Sequence, residues 1–161
     1  MSRPLPPASE RVRAAAAALG LAIAIREHAV PTRTAEEAAL ACGCPVGAIV
    51  KSLVFAGQAS GEPLLCLVSG ANRVDEALAA AEVGEAILGP DGRAVRGWTG
   101  FAIGGIPPFG HARPLRTFMD RDLLAFGEVW AAAGTPNTVF PLCPHELARA
   151  TGARVARLSA A

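Results

Sequence analysis

The chain has 161 residues, 52% hydrophobic and 18% charged, with fifteen Lys plus Arg against fourteen Asp plus Glu and a formal net charge of +1. That length suits one domain with a core of its own, and the near balance of charge excludes the broad basic field that extended duplex binding requires, so duplex DNA is not an expected partner. No apolar run approaches the roughly 20 residues that span a bilayer, and Met1–Pro7 is rich in proline without a signal-peptide pattern, so a cytoplasmic protein that does not engage a membrane is expected.

In chain order, residues 1–8 are expected to form a flexible proline-rich tail and residues 9–161 a single domain. Ser9 suits the N-cap of a helix over Glu10–Leu19 that stops at Gly20, and Leu21–Arg26 then alternates as a strand would. Thr34 followed three residues later by Glu37 has capping-box spacing, with Gly43 closing that short helix. Ile49–Phe55 and Leu64–Ser69 read as a β-hairpin across the turn-rich segment between them, with an apolar edge at Leu64–Val68 that would suit a dimer. Helices are expected over Val74–Glu82 and Asp91–Trp98, and a short strand over Phe101–Ile103. Further strands fall at Leu115–Met119, Glu128–Ala132, Thr138–Leu142 and Arg154–Leu158, with a helix from Pro144 to Gly152 before the last. Interleaved elements of both kinds imply a mixed α/β fold.

Lys51 is the sole lysine; the other fourteen cations are arginines. It stands inside the apolar run Ile49–Phe55, where an unpaired ammonium must reach water, find an acceptor or serve a ligand. Strand periodicity puts it on one face with Ile49, Leu53 and Phe55, and Val50, Ser52 and Val54 on the other. Arginine would not replace it as a compact, rotatable point charge.

The second informative segment is the loop Gly104-Gly105-Ile106-Pro107-Pro108. Glycine permits close backbone approach and proline fixes φ, so the loop is rigid and unusual in shape and suits a cradle of backbone N–H groups for a carbonyl or oxyanion. His111, just beyond it, has the unperturbed pKa of about 6.5 that suits a general base. Asn137, in the turn Gly134-Thr135-Pro136-Asn137, can bond both backbone and ligand. Asp75 beside Arg73 reads as a surface pair rather than a catalytic acid. Cys42, Cys44, Cys66 and Cys143 lack zinc-ligand spacing, and neither metal nor cofactor is expected.

Taken in order, Ile49-Val50-Lys51-Ser52-Leu53, Leu67-Val68-Ser69-Gly70, the loop from Thr99 to Gly110 and the turn Gly134–Asn137 resemble the YbaK/EbsC family, relatives of the editing insertion of bacterial prolyl-tRNA synthetase. The resemblance spans Thr34–Leu158. It implies a twisted, partly barrel-like mixed β-sheet flanked by helices, and a metal-independent trans-editing deacylase that hydrolyses the ester of mischarged tRNA. It matches the family's lysine to Lys51 and its glycine-proline loop to Gly104–Pro108. Lys51, Gly104 and Gly105 are then the expected catalytic residues, and Ser52, Ile106, Pro107, His111 and Asn137 the substrate contacts. The partners implied are the acceptor end of an aminoacyl-tRNA and prolyl-tRNA synthetase. Ser52 replaces the asparagine common in alanyl-specific members and Pro107 also departs from relatives, so a small amino acid is expected only on size. Arg113 with Arg116, or Arg93 with Arg96, would suit acceptor-stem phosphates. Two other readings remain open on the residues: a non-catalytic module that binds a nucleic-acid or nucleotide end, and a Schiff-base enzyme built on Lys51.

Overall fold

A computed structural model describes residues 4–160, so residues 1–3 of the expected tail lie outside the described part. Helix α1 (Pro7–Ala18) begins earlier than its composition suggested: Pro6 is its cap and Pro7 opens the first turn, where a missing N–H costs no intrahelical bond. Ser9 is therefore no cap. It is buried, and its hydroxyl donates to Thr138 Oγ1 at 3.0 Å.

The strand expected over 21–26 contracts to β1 (Arg26–Glu27), because Leu21, Ile23 and Ile25 alternate onto the core without a ladder partner. Helix α2 (Ala35–Cys42) carries the expected capping box: Thr34 Oγ1 accepts from Glu37 N at 3.1 Å and donates to the Glu37 carboxylate at 3.2 Å. The hairpin is β2 (Val50–Gly57) and β3 (Pro63–Ser69), antiparallel from Val50 opposite Ser69 to Ala56 opposite Pro63. There follow α3 (Glu76–Val83), β4 (Ile87–Leu88), α4 (Gly92–Thr99), β5 (Arg116–Asp120), β6 (Val129–Ala132), β7 (Thr138–Leu142), α5 (Pro144–Thr151) and β8 (Arg154–Ala156).

Five strands form one mixed sheet in the order β4-β2-β3-β5-β8, and three form an antiparallel sheet in the order β1-β7-β6. A parallel bridge between Ile49 and Trp130 ties the two together, so the expected mixed α/β fold is built on two joined sheets. Strand β3 lies in the middle with every residue buried, which removes the apolar edge expected there. Leu65 and Leu67 pack with Val12, Phe101, Met119 and Phe140 on one side, while Leu64, Cys66 and Val68 pack with Ala79, Phe118 and Leu158 on the other. A strand buried on both faces reads as a continuous apolar run, as this one does. In β2 the expected alternation holds, with Val50 and Val54 on the first cluster and Leu53 and Phe55 against the second.

No strand forms at 101–103. The Thr99 hydroxyl donates to Val95 O at 2.8 Å and accepts from Phe101 N at 3.0 Å, and Gly105 N donates to Ala102 O at 3.2 Å, which turns the chain instead. Asp75 is likewise no surface partner of Arg73: it caps α3, accepting from Ala77 N at 3.0 Å and Leu78 N at 3.1 Å. Asp75→Ala is expected to cost about 1 kcal/mol of stability, the usual worth of a cap, and thermal unfolding checks it.

Candidate active site

Lys51 projects from β2 half-buried, and its ammonium donates to the backbone carbonyl of Asn72. Asn72 belongs to the turn that leaves β3, closed by Asn72 N donating to Ser69 O at 2.9 Å. Beneath the turn lies Asp120, 1% exposed. Its carboxylate accepts from Ser69 N at 3.1 Å, Asn72 Nδ2 at 2.9 Å and Asp122 N at 3.0 Å. The lysine thus does not simply snorkel to water. One of its three donors is fixed, and the acceptor that fixes it is held by a buried carboxylate.

Burial pushes the Lys51 pKa below its ordinary value of 10.5; Glu36 opposes that shift, Arg73 adds to it, and Asp120 opposes it.

The ammonium lines a cleft of about 480 Å³. Its lining comes from the segment Pro31 to Thr34 with Ala35 and Ala38 of α2, from Ile49 and Lys51, and from Ile103, Gly104 and Pro136, and Thr32 N donates to Pro136 O at 3.0 Å. Gly104 is exposed with φ at 103°, a backbone that L side chains rarely adopt, and among the described residues its N–H has no bonded partner. Gly105 behind it is buried and serves a different end. Its N–H is spent on Ala102, its carbonyl accepts from Gly134 N at 2.9 Å, and a Cβ there would come within 2.6 Å of Thr135 backbone atoms. Only glycine lets the two turns close to this distance, and their closure sets Gly104 beside Pro136 in the cleft wall.

The other expected residues are not all gathered here. Ser52 and Ile106 line an adjoining, mostly apolar cleft of about 250 Å³, shared with Leu53, Val54 and Phe55 and divided from the Lys51 cleft by Ile103, which is 64% exposed and borders both. The Ser52 hydroxyl oxygen is buried with no hydrogen-bond partner among the described residues. Pro107 is buried, and its carbonyl accepts from His111 Nε2 at 2.8 Å. His111 opens onto a separate cleft with Pro108 and Pro114, and burial lowers its pKa while the bond to Pro107 opposes that. Asn137 spends its side chain on the turn, donating to His28 O at 3.0 Å and accepting from Thr135 Oγ1 at 3.1 Å. A cleft of about 560 Å³ between Leu5 and Ile25 contains none of the expected residues.

The cysteines are free, and burial raises the Cys42 thiol to about 11 and the Cys66 thiol to about 12, which disfavours a thiolate nucleophile. Of the arginines expected on phosphates, Arg113 pairs with Glu62 at 3.2 Å and Arg116 lies over the Phe118 ring while donating to Val83 O. Sequence reasoning missed Asn72, Asp120 and the 31–34 wall. Only the turn-like composition of Ser69-Gly70-Ala71-Asn72 hinted at the first.

The model of the aminoacyl-tRNA editing domain matches residues 29–150. An uncharacterized protein of Bacillus subtilis, YwhH, is 30% identical over 133 residues, covering 81% of this chain and 83% of its own. A crystal structure described as a candidate trans-editing enzyme for prolyl-tRNA synthetase superposes with a TM-score of 0.93 at 47% identity, covering 98% of this chain and all of its own. The structure of hypothetical protein APE2540 superposes at 0.86 with 30% identity over 93% of this chain and 99% of its own.

Proposed function

The chain belongs to the aminoacyl-tRNA editing domain family, whose members hydrolyse mischarged tRNA, and we propose that it performs this hydrolysis in trans within the Lys51 cleft. The carrying observation is that one cleft is lined by both Lys51, with its anchored ammonium, and Gly104, whose exposed backbone N–H has no bonded partner among the described residues.

An aminoacyl ester is already activated, so the enzyme gains most by fixing the carbonyl and stabilising the charge that develops on its oxygen. In this proposal water adds to the ester carbon, and the carbonyl oxygen becomes an oxyanion held by Lys51 Nζ and Gly104 N–H. Collapse breaks the bond to the ribose oxygen, which takes the proton released by the water, leaving free amino acid and tRNA. The water is oriented by the neighbouring ribose hydroxyl or the substrate amine. Gly105 has its N–H committed, so its role in this scheme is to position Gly104. Ser52 and Ile106 bound the side-chain end in the apolar cleft beyond Ile103, and the amino acid received there is proposed to be a small one.

The likeness at 47% identity supports tRNA(Pro) as the substrate and prolyl-tRNA synthetase as a docking partner. A cytoplasmic location follows from that assignment; among the described residues no helix is long and apolar enough to cross a membrane. The reaction is proposed to need no metal, as the family resemblance implies. Release of amino acid from a panel of mischarged tRNAs tests the reading. Small residues on tRNA(Pro) are expected to be cleared, at the same rate after EDTA treatment. Absence of release from every member would refute the activity, and loss with EDTA would refute the metal-free route.

A further inference from the structure

Most arginines of this chain are committed. Arg13 pairs with Glu10, Arg113 with Glu62, Arg149 with Glu146 and Arg154 with Glu82, while Arg11 and Arg26 lie over Phe101 and Trp130. Among the described residues the guanidinium groups of Arg33, Arg73, Arg93, Arg96 and Arg121 have no bonded partner. Two of these five bear on the Lys51 cleft. Arg33 lines it directly, and Arg73 follows Asn72, whose carbonyl holds the lysine. Both are exposed.

Fourteen charge-balancing acids are available in this chain, so leaving these two unpaired beside the sole lysine is informative. The nearest acid to Arg33 in the capping box, Glu37, is occupied by Thr34 Oγ1 and by the Arg33 backbone N–H rather than by the guanidinium. Glu36 is the one acidic group facing Lys51 from α2, and Arg73 is near enough to Lys51 to lower its affinity for a proton. The nearby carboxylates of Asp120 and Asp122 are taken up by the Asn72 amide rather than by either guanidinium, so two exposed, unpaired forks remain beside the cleft, where an incoming anion can be received.

We propose that Arg33, from the cleft wall, and Arg73, from the turn that anchors Lys51, bind backbone phosphates of the single-stranded acceptor end and so deliver its terminal ester to Lys51. The inference rests on the editing reading for its ligand, and it replaces Arg113 and Arg116 as phosphate contacts. Guanidinium forks suit this task, because they meet phosphate oxygens with two donors and stay charged at any working pH. Phosphate contacts of this kind position the strand without reading its sequence.

The test is binding of uncharged tRNA(Pro) transcript across a salt series, measured beside deacylation of alanyl-tRNA(Pro). The slope of log affinity against log salt should lose about 0.7 for each single-strand phosphate contact removed, so Arg33→Ala/Arg73→Ala should flatten it by about 1.4. Each single variant should weaken binding about tenfold, as one charge-assisted contact does. Arg149→Ala, whose arginine is paired on α5, should leave slope and affinity unchanged. Since both arginines are exposed, the melting temperature should not move. An unchanged slope in the double variant, or an equal loss in Arg149→Ala, overturns the proposal. If the wild type binds with the expected slope but releases no amino acid from any charged tRNA, the phosphate grip stands and the editing reading falls.

Discussion

Replacing Lys51 with alanine is expected to slow deacylation of the susceptible aminoacyl-tRNA by about 10²–10³-fold, the loss that follows removal of one preorganised donor to a developing oxyanion. The substitution should scarcely disturb folding, because what it removes is a half-buried ammonium whose desolvation offsets part of its hydrogen bond to Asn72. Lys51→Arg should not restore the rate. The planar fork cannot keep one donor on the Asn72 carbonyl and turn another toward the ester as a compact ammonium does. The pH profile carries a second signature. The working form is the protonated one, so the enzymatic rate, after subtraction of spontaneous ester hydrolysis, should fall as pH rises through the folded pKa. Burial sets that value below 10.5, so the alkaline limb should arrive earlier than for a free lysine. The linked effect on stability has the opposite sense: the unfolded chain holds the proton more tightly, so stability rises slightly with pH between the folded value and 10.5. Single-turnover rates over a pH series measure the first, and denaturant unfolding over the same series measures the second. A Lys51→Ala protein at the wild-type rate would remove the ammonium from the mechanism.

The features legible in the chain were those written locally. The capping box of α2 needs only Thr34 and Glu37, and the hairpin of β2 and β3 needs only alternation on one strand and a continuous apolar run on the other. The mixed fold follows from such elements in series. What escaped sequence reading depended on partners far along the chain or on one hydroxyl. Phe101–Ile103 has strand composition, yet Thr99 takes the backbone N–H that a ladder would use. Ser9 has the chemistry of a cap, but its hydroxyl is bound to Thr138, 129 residues away. Gly105 looked like an oxyanion donor because paired glycines suggest free N–H groups. Its N–H closes a turn, and the missing side chain matters for the approach of Thr135 instead. Asn137 and His111 have reactive functional groups that the fold spends on a turn and on the Pro107 carbonyl. Side-chain chemistry alone does not say which groups remain free once backbone demands are met.

Asp120 is the strongest instance, and it bears the second large prediction. Nothing around it in sequence marks it, since its partner Ser69 is 51 residues away and Asn72 is 48. Asp120→Ala leaves the buried N–H of Ser69 and the part-buried N–H of Asp122 without their acceptor and deprives the Asn72 amide of one of its two carboxylates, the other being Asp122. Loss of such a buried, charged acceptor is expected to cost about 3 kcal/mol of stability. Deacylation should also fall, by about tenfold or more at temperatures where the variant is folded, because the turn that presents the Asn72 carbonyl to Lys51 loses its anchor. A merely structural role would stop there. Asp120 also raises the Lys51 pKa, so its removal should move the alkaline limb of the rate to lower pH, and Asp120→Asn should move that limb while sparing more of the stability. Thermal melts combined with pH–rate profiles separate the two effects. An alkaline limb that stays in place in both variants would break the link between the buried carboxylate and the ammonium, leaving Asp120 as a support for the β3 turn alone.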